Sequence, residues 1–377
     1  MVAPLYRIVL TGGPCGGKST ALAHITERLQ NFRFNVYCVP EAATLLIMGG
    51  AKPFTMPPEQ AFHFQEALMG VLFSLEDALV AIARASGKPS VVVCDRGAMD
   101  ASAYMEPNAW AALLDSHGWT TVDLRDRRYE AVIHLATAAE GAEQHYTTAN
   151  NAARTETPEQ ARRLDARIRD AWIGHPHLRV IDNSTDFPGK VARAVAAVCG
   201  VTGVPEPRAR ERKFLVRTAP EESDFPVRSV VVEIEQTYLV SPDGGEARVR
   251  KRSQQGSSTY TLTTKRPAGV GERVEVERMI SGREYLSLLR QADPACVPVR
   301  KRRRVFLWNG NYFELDTFVS PAAGFSVLEV ELDDLAAPVE LPPFLDIGPE
   351  LTGDERYSNR GIAAAGGVPE ERGGDSA

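Results

Sequence analysis

Cysteine is scarce in this sequence, and no two cysteines stand close together. The 377 residues contain five cysteines, and no two of them form a C-x-x-C pair. This spacing argues against a structural zinc site and against the dense disulfides of small secreted proteins. The five positions are Cys15, Cys38, Cys94, Cys199 and Cys296. A reducing compartment is therefore expected.

Long apolar runs and a strong excess of one charge are also missing. No run approaches the roughly 18 apolar residues that a membrane-spanning helix needs. The first predicted strand begins near residue 5, which leaves no room for a signal peptide. The net charge is only −6, so no overall positive field favours nucleic acid. We expect a cytoplasmic protein in which any anion site is a local basic cluster.

Residues 12–20, GGPCGGKST, fit the phosphate-loop pattern G-x-x-x-x-G-K-S between an apolar strand and a helix. Glycines let successive backbone N–H groups approach phosphate oxygens, and the helix N-terminus adds a favourable dipole. Lys18 would supply a charge to the β- and γ-phosphates, and Ser19 a hydroxyl to Mg²⁺. The expected phosphate contacts are Gly12, Gly13, Gly16, Gly17, Lys18, Ser19 and Thr20.

Two further strands in this half end in charged residues. Glu41 follows a strand at 35–39, and Asp95 and Arg96 follow an unbroken apolar strand at 90–94. The carboxyl ends of parallel strands share the ligand-binding edge, so these residues should lie beside the phosphate loop. Asp95 would orient Mg²⁺ through water, and Arg96 would reach the transferred phosphoryl group. Glu41 would act as a base, hold an acceptor, or simply stand at a helix N-terminus.

Polar segments after the later strands suggest a lid. Arg154, Arg162 and Arg163 are lid candidates of the kind that close over phosphates, although surface charges on a helix have the same appearance. Asn183 follows the strand at 178–182 and is placed for contacts with the base or the lid. Asp100 and Tyr104 stand one helical turn apart after Arg96, so both should face the same side.

Residues 1–205 resemble the domain shared by nicotinamide riboside kinases and the TRPL translocation defect protein family. The resemblance implies a P-loop kinase-like α/β domain with a doubly wound parallel sheet. It also implies binding of GTP or ATP with Mg²⁺. Beside the phosphate loop, the residues that carry it are Glu41 with Ala42, CDRGAMDASAY at 94–104, HLATAAEGAE at 134–143, RTETPEQARRLD at 154–165, GHP at 174–176 and IDNST at 181–185.

The pattern changes after residue 207. Eight segments alternate charged and apolar residues with period two, as in strands with one polar face. A helix is predicted over 281–292. Cations collect on some strands and carboxylates on others, and closing the sheet would place both sets inside a tunnel for phosphates and divalent metals. The predicted strands are 212–217, 227–240, 247–252, 258–265, 272–279, 299–307, 312–319 and 325–332.

This half resembles the CYTH domain, the tunnel fold of adenylate cyclase and thiamine triphosphatase relatives, over residues 208–363. The segments that carry the resemblance are ERKFLV at 211–216, QTYL at 236–239, RVR at 248–250, RVEVE at 273–277, EVE at 329–331, LTGD at 351–354 and YSN at 357–359. The resemblance implies an anion site formed by Lys213, Arg248, Arg250, Lys265, Arg273, Lys301 and Arg303. It implies Mg²⁺ or Mn²⁺ ligands at Glu211, Glu275, Glu277, Asp316, Glu329 and Glu331.

One position departs from the family pattern. The family opens with E-x-E-x-K, and Ala209 stands where the first glutamate is expected. One metal-facing carboxylate is missing, which weighs against triphosphate hydrolysis and leaves anion binding intact. The basic run at 300–304 also suggests nucleic acid, but strand alternation would turn Lys301 and Arg303 inward and leave the other three arginines solvated or facing anionic lipid.

Together these features predict a kinase-like α/β P-loop domain at 1–203, a linker at 204–207, a mainly antiparallel eight-stranded barrel at 208–363 and a disordered tail at 364–377. The order of the two domains matches the TRPL translocation defect protein family. That resemblance implies a nucleotide-binding protein whose tunnel binds a phosphoinositide or polyphosphate during membrane-protein trafficking, with peripheral contact to an anionic membrane. The alternatives are a small-molecule kinase and a metal-dependent tri- or pyrophosphatase, while nucleic acid is disfavoured.

Overall fold

The computed structural model of the protein describes residues 3–143, 157–204, 210–241, 245–269, 272–332 and 338–368. The chain divides into two compact units, residues 1–208 and 209–377. Most of the predicted linker and the tail from residue 369 lie outside the described residues. Among the described helices, none is both long enough and apolar enough to cross a membrane.

A five-stranded parallel sheet forms the centre of the N-terminal unit. Its strands are β1 (Leu5–Thr11), β2 (Asn35–Val39), β3 (Ser90–Asp95), β4 (Ala131–Leu135) and β5 (Leu178–Ile181). They lie in the order β2-β3-β1-β4-β5. The apolar run of β3 is buried because both sheet faces are covered, as the sequence predicts. The predicted doubly wound α/β class is therefore confirmed.

Six helices accompany this sheet in the described part of the N-terminal unit. They are α1 (Lys18–Asn31), α2 (Ala42–Met48), α3 (Pro58–Ala85), α4 (Pro107–His117), α5 (Pro158–Ala171) and α6 (Phe187–Thr202). Helices α1 and α6 pack on one face, where Ile25 and Leu29 meet Ile8 and Leu10. On the other face, Glu76 of α3 is fully buried, and it is satisfied by Arg7, Arg128 and the Tyr129 hydroxyl.

The segment after β3 differs from the predicted helix. Residues Ala98–Tyr104 form a 3₁₀ turn, which has 3.0 residues per turn rather than 3.6. Asp100 is buried and Tyr104 is 44% exposed, and both lie near enough to Arg96 to raise its pKa. Asp100 accepts hydrogen bonds from Thr11 Oγ1 (2.7 Å) and Trp172 Nε1 (2.7 Å) and holds this turn against β1.

The C-terminal unit contains one antiparallel sheet of nine strands. They are β6 (Arg210–Thr218), β7 (Ser229–Leu239), β8 (Glu246–Gln254), β9 (Ser257–Gly269), β10 (Glu272–Met279), β11 (Val299–Trp308), β12 (Asn311–Ser320), β13 (Ser326–Leu332) and β14 (Asp346–Glu350). Their order is β10-β9-β8-β7-β11-β12-β13-β6-β14. The predicted mainly antiparallel class is confirmed.

The ninth strand is a finding that the sequence did not predict. Strand β14 reads DIGPE, in which glycine and proline disfavour a strand, and it pairs with β6 through an irregular register. Within the described part of the chain, β10 and β14 each have one neighbour, so the hydrogen-bonded order is not a closed ring of eight. The predicted helix over 281–292 is shorter, with α7 at Gly282–Leu288 followed by a 3₁₀ turn.

Two kinds of packing support this sheet. On one face, the aromatic residues Phe214, Phe306 and Phe313 form an apolar cluster that is covered by Phe225 and Phe344 from connecting segments. A second cluster contains Ile362 and Ala363 of α8 (Asn359–Ala365), which ends two residues inside the predicted tail. The opposite face carries the charged residues together with part of this second cluster, because Val299 and Phe318 stand two residues from Lys301 and Asp316 along β11 and β12.

His175 is a buried histidine in the N-terminal unit whose hydrogen bonds fit its neutral form. Its Nδ1 accepts from the His177 N–H (3.0 Å), and Nε2 lies 3.0 Å from the Tyr129 carbonyl oxygen. A proton on Nδ1 would face another donor, and burial lowers the pKa of His175 from 6.5 to about 3. As the pH falls, the unfolded chain therefore takes up this proton at a higher pH than the folded protein does.

The stability of the N-terminal unit should fall as the pH drops from 6.5 toward 3. Each pH unit in this window costs up to about 1.4 kcal/mol of unfolding free energy, because the folded pKa lies below the unfolded pKa. Denaturant unfolding at several pH values should show a shallower slope for His175→Gln than for the wild type. The exposed His24→Gln variant is the control, and equal slopes for His175→Gln and the wild type would contradict the prediction.

Candidate functional site

The phosphate loop joins β1 to α1 and lies tightly against the end of β4. Gly12 has φ +132°, and a Cβ at this position would lie 2.0 Å from the Leu135 carbonyl oxygen. Gly17 has φ +90° and precedes the first residue of α1. Side chains are excluded at both positions, so the loop backbone can curl around a bound group as the sequence predicts.

Lys18 lies over the loop. Its Nζ donates hydrogen bonds to the carbonyl oxygens of Gly12 (2.9 Å) and Gly13 (3.1 Å). Burial, with a contribution from the nearby Arg96, lowers the pKa of Lys18 to about 8. Ser19 and Thr20 are exposed on the first turn of α1. A phosphate at the loop would meet this ammonium group and the hydroxyls together.

Glu41 and Arg96 form an ion pair beside the loop. Arg96 Nε lies 2.7 Å from Glu41 Oε1, and Thr44 Oγ1 donates to Glu41 Oε2 at 2.7 Å. Burial raises the pKa of Glu41, but the guanidinium of Arg96 outweighs it and leaves that pKa below its ordinary value. Arg96 also reaches the carbonyl oxygen of Gly12 at 3.3 Å. The two strand ends and the loop therefore meet at one edge of the sheet.

Asp95 has a carboxylate oxygen without a partner in the described structure, and this atom shows whether a divalent cation would fit beside the loop. Its Oδ1 is buried, and no hydrogen-bond donor reaches it among the described residues. Burial raises the pKa of Asp95, because nothing fully compensates the charge of this carboxylate. An unsatisfied carboxylate oxygen at the edge that carries Lys18 and Ser19 fits Mg²⁺, which binds oxygen ligands.

Sequence patterns did not identify the buried pair Asp165 and His134, which holds the loop. Asp165 on α5 accepts from the Gly13 N–H (2.6 Å), and His134 Nε2 on β4 lies 3.1 Å from its other oxygen. The Thr137 N–H also donates to Asp165, at 3.1 Å. Only the match of RTETPEQARRLD to a known domain drew attention to this region, and it assigned no role to its aspartate.

The predicted lid residues have other neighbours. Arg162 Nη1 donates to the Ala139 carbonyl oxygen at 2.8 Å, and Arg163 pairs with Glu159 on the surface of α5. Arg154 lies outside the described residues. The amide of Asn183 is engaged within the unit, since it donates to the carbonyl oxygens of Thr137 and Glu140 and accepts from Lys190.

In the C-terminal unit, burial alternates along β11 as the sequence predicts. Lys301 and Arg303 are 2% and 9% exposed, while Arg300 and Arg302 are exposed. Arg304 is intermediate, because it lies over the Phe225 ring. We call the face of the sheet that contains Lys301 and Arg303 the charged face.

A buried ion network occupies the centre of the charged face. Asp316 is fully buried, and its two oxygens accept from Arg303 Nε (2.7 Å), Arg303 Nη2 (2.6 Å) and Lys301 Nζ (2.5 Å). Arg303 and Lys301 together lower the pKa of Asp316 against the effect of burial. Because both oxygens are occupied, a metal at Asp316 would compete with these cations.

The network continues onto β13 and β6, where Lys213 lies between Glu329 and Glu211. Lys213 Nζ lies 2.8 Å from Glu329 Oε1 and 3.5 Å from Glu211 Oε1. Glu329 and burial raise the pKa of Glu211 to about 7, although its side chain is 49% exposed. Glu331 is the register partner of Glu211. Glu314 pairs with Arg303 on the same face, and we call Glu211, Glu314, Asp316, Glu329 and Glu331 the acidic half.

The opposite side of the charged face is basic. Arg248, Arg250 and Arg252 of β8 form what we call the basic half. Burial and Arg248 lower the pKa of Arg250, because the carboxylate of Glu277, 4.0 Å from its Nη1, compensates only in part. No described residue accepts a hydrogen bond from Arg250 Nε. An anionic ligand would supply the missing acceptors.

Neutral groups support the basic half in addition to the Glu277 carboxylate, which the sequence did not reveal. Arg250 Nη2 lies 3.5 Å from Gln236 Oε1, and Gln236 Nε2 donates to the Tyr238 hydroxyl at 2.8 Å. Arg248 also hydrogen-bonds to Tyr238. Asn359 on α8 accepts from Lys301 Nζ at 2.8 Å, so α8 contacts the buried network.

Some residues predicted for the anion and metal sites of the tunnel are not described by the structure. The side chains of Lys265, Arg273 and Glu275, together with Ala209, lie outside the described part of the structure. In the part that is described, no three His, Cys, Asp or Glu side chains converge into a ready metal site. Glu277 accepts from Thr263 Oγ1 at 2.8 Å and faces the basic half.

Comparison with known proteins assigns each unit to a domain type. Residues 7–190 match an AAA domain and residues 208–341 match a CYTH domain. An inorganic triphosphatase from Nitrosomonas europaea is 35% identical over 155 residues, which are 41% of this chain and 95% of that protein. A crystal structure of an inorganic triphosphatase is 32% identical and covers 42% of this chain and 95% of that chain, with a TM-score of 0.31.

A solved protein from Pyrococcus horikoshii OT3 is 21% identical over 33% of this chain and 80% of its own, with a TM-score of 0.25. The two domain matches follow the two compact units in order. The N-terminal unit is thus an AAA-like P-loop domain, and through its C-terminal unit the chain belongs to the CYTH family.

Proposed function

We propose that the C-terminal unit binds a linear triphosphate on its charged face and hydrolyses it with a divalent cation, while the N-terminal unit binds a nucleotide with Mg²⁺. One observation carries the proposal for the C-terminal unit. Basic and acidic halves share one face, and each lacks compensation for part of its charge, at Arg250 and at Glu211 respectively. A triphosphate bound with its cation would compensate both.

The basic half would bind the phosphate oxygens. Arg248 and Arg250 can each donate two parallel hydrogen bonds to a phosphate, and the neutral groups of Gln236 and Tyr238 help to hold them in place. Lys301 and Arg303 are already paired with Asp316, so they would position the carboxylates and leave the first contacts with the ligand to Arg248 and Arg250.

The acidic half would hold the divalent cation. Glu211, Glu329 and Glu331 fit this role better than Asp316, because Glu211 and Glu331 reach the exposed end of the face. When bound, Mg²⁺ or Mn²⁺ would neutralise phosphate oxygens and make the terminal phosphorus a better electrophile. The similarity to an inorganic triphosphatase supports this proposal in spite of Ala209.

The N-terminal unit would bind GTP or ATP through the phosphate loop, with Lys18 on the terminal phosphates and Asp95 and Ser19 near Mg²⁺. A phosphotransferase is the second candidate here, because Glu41 and Arg96 are paired at the same edge as Lys18. In that case, Glu41 would hold the acceptor hydroxyl and Arg96 would face the transferred phosphoryl group. The lowered pKa of Glu41 makes it a weak base, which favours a binding role.

The phosphoinositide head group expected from the resemblance to the TRPL translocation defect protein family stays a prediction for the basic half. Its phosphates have the same chemistry as those of a free triphosphate. Trafficking and contact with an anionic membrane depend on that lipid source, so a membrane experiment separates the two ligands.

Nucleotide binding by the wild type should require Lys18. Mg-ATP or Mg-GTP at about 1 mM should raise the Tm of the wild type, because a ligand that binds only the folded state stabilises it. Lys18→Ala should lose this increase, since the charge on the terminal phosphates is removed. The exposed Lys88→Ala is the matched control, and an equal Tm increase in Lys18→Ala would contradict the phosphate-loop assignment.

Tripolyphosphate hydrolysis should depend on both halves of the charged face. We expect Arg250→Gln and Glu329→Gln each to lower kcat/KM by about 100-fold, the scale of losing one preorganised electrostatic contact. Arg300→Gln, which changes an outward arginine on β11, and Lys18→Ala should retain activity. The assay measures phosphate release from tripolyphosphate with Mg²⁺ or Mn²⁺. Loss of activity in Lys18→Ala, with activity retained in Arg250→Gln and Glu329→Gln, would assign the hydrolysis to the N-terminal unit instead.

Binding to phosphoinositide vesicles should require the basic half if the ligand is a lipid head group. Vesicles with a phosphoinositide should retain the wild type more strongly than phosphatidylserine vesicles of equal total charge. Arg248→Ala/Arg250→Ala should remove the difference in a sedimentation assay. Equal retention of the double variant would exclude the charged face as the lipid site.

A further inference from the structure

A buried carboxylate on α5 links that helix directly to the phosphate loop. Asp165 is 0% exposed, and its Oδ1 accepts from the Gly13 N–H at 2.6 Å, inside the loop itself. The Thr137 N–H, at the end of β4, donates to the same oxygen at 3.1 Å. One oxygen thus joins three elements that are far apart in sequence.

The second oxygen of Asp165 is held by His134. Its Nε2 lies 3.1 Å away, and the ring is fully buried on β4. Because an ionised carboxylate only accepts, this hydrogen bond requires a proton on Nε2. His134 and the Gly13 N–H outweigh burial and keep the pKa of Asp165 below its ordinary value. The carboxylate is therefore charged and fixed in orientation.

The loop is shaped to this carboxylate. A Cβ on Gly13 would lie 2.7 Å from Asp165 Oδ1, so glycine permits the close approach. On the next loop residue, the Pro14 carbonyl oxygen accepts from Thr137 Oγ1 at 2.5 Å. The loop is thereby held from two successive residues, one contacted from α5 and the other from the end of β4.

Helix α5 is itself well anchored. Its first turn has a reciprocal cap between Thr157 and Gln160, and its buried stripe includes Ala161 and Ile168. An anchored helix can hold the loop in the shape that receives phosphate, which removes a conformational cost from binding. The geometry points to Asp165 as a positioning residue for nucleotide binding, oriented by His134 and coupling α5 to the phosphate loop. This inference rests on the proposed nucleotide binding by the N-terminal unit.

The test compares variants that keep or remove the acceptor oxygen. Asp165→Asn retains an oxygen for the Gly13 and Thr137 N–H groups, and its amide can donate to His134 after a change of tautomer. Asp165→Ala leaves both N–H groups without that acceptor. Titration with Mg-ATP and Mg-GTP should therefore give a Kd about 10- to 100-fold weaker for Asp165→Ala, with near wild-type binding for Asp165→Asn.

A matched control separates positioning from general stability. Glu76→Gln also changes a fully buried carboxylate of the same unit, but its partners Arg7, Arg128 and Tyr129 lie away from the loop. It should lower the Tm and leave the nucleotide Kd unchanged. Equal loss of affinity in Glu76→Gln and Asp165→Ala would overturn the inference, because the effect would then be one of stability.

A measurement on the wild type covers the case in which Asp165→Ala does not fold. Coupling is reciprocal, so nucleotide binding should slow hydrogen exchange in α5 while the α3 segment around Glu76 changes little. Unchanged hydrogen exchange in α5 when the protein is saturated with nucleotide, or an unchanged Kd in Asp165→Ala, would overturn the role of Asp165. Neither result would contradict nucleotide binding itself. Failure of the wild type to bind either nucleotide would overturn the proposed function and this inference with it.

Discussion

The pairing of buried charges is the constraint on which both units depend. Asp316 is fully buried and is held by Lys301 and Arg303, and the strands β11 and β12 that carry these residues lie side by side in the sheet. A buried carboxylate without such partners would cost several kcal/mol. The sheet register that places Arg303 opposite Asp316 is therefore required by the charges as well as by the apolar cluster on the other face.

The N-terminal unit meets the same requirement with single carboxylates. Glu76, Asp100 and Asp165 are all buried, and each accepts at least three hydrogen bonds. Each joins elements that are distant in sequence: β1 with α3, β1 with the turn after β3, and the phosphate loop with α5. Asp100 and Asp165 thus fix the edge of the sheet on which the loop, Glu41 and Arg96 meet, while Glu76 holds α3 to β1 away from the loop.

The sequence predicted the parts of the structure that depend on local pattern. The phosphate loop, the apolar β3 and the alternation along β11 follow from spacing and period, because each is decided by neighbours within a few residues. Asp165 could not be found this way, since it lies 152 residues from the glycine whose N–H it accepts. Strand β14 was missed because pairing with β6 overrides the glycine and proline in its sequence.

Roles within the charged face were harder still to predict. Period-two alternation places Lys301, Arg303 and Asp316 on one face, but it does not say which of them are paired with each other. The structure separates residues whose charge is satisfied, such as Asp316, from residues whose charge is not, such as Arg250. This difference depends on the neutral Gln236 and Tyr238 behind the arginines, which no charge pattern reports.

That separation also gives the physical basis for locating the ligands. A protein gains little by burying a polar atom without a partner unless something else supplies the partner. Among the described residues, Asp95 Oδ1 in one unit and Arg250 Nε in the other are such atoms, one in need of a cation or donor and the other of an anion. Both lie where sequence pattern independently predicts phosphate chemistry. The proposed nucleotide with its metal and the proposed polyphosphate would give these two atoms the partners that the described residues do not supply.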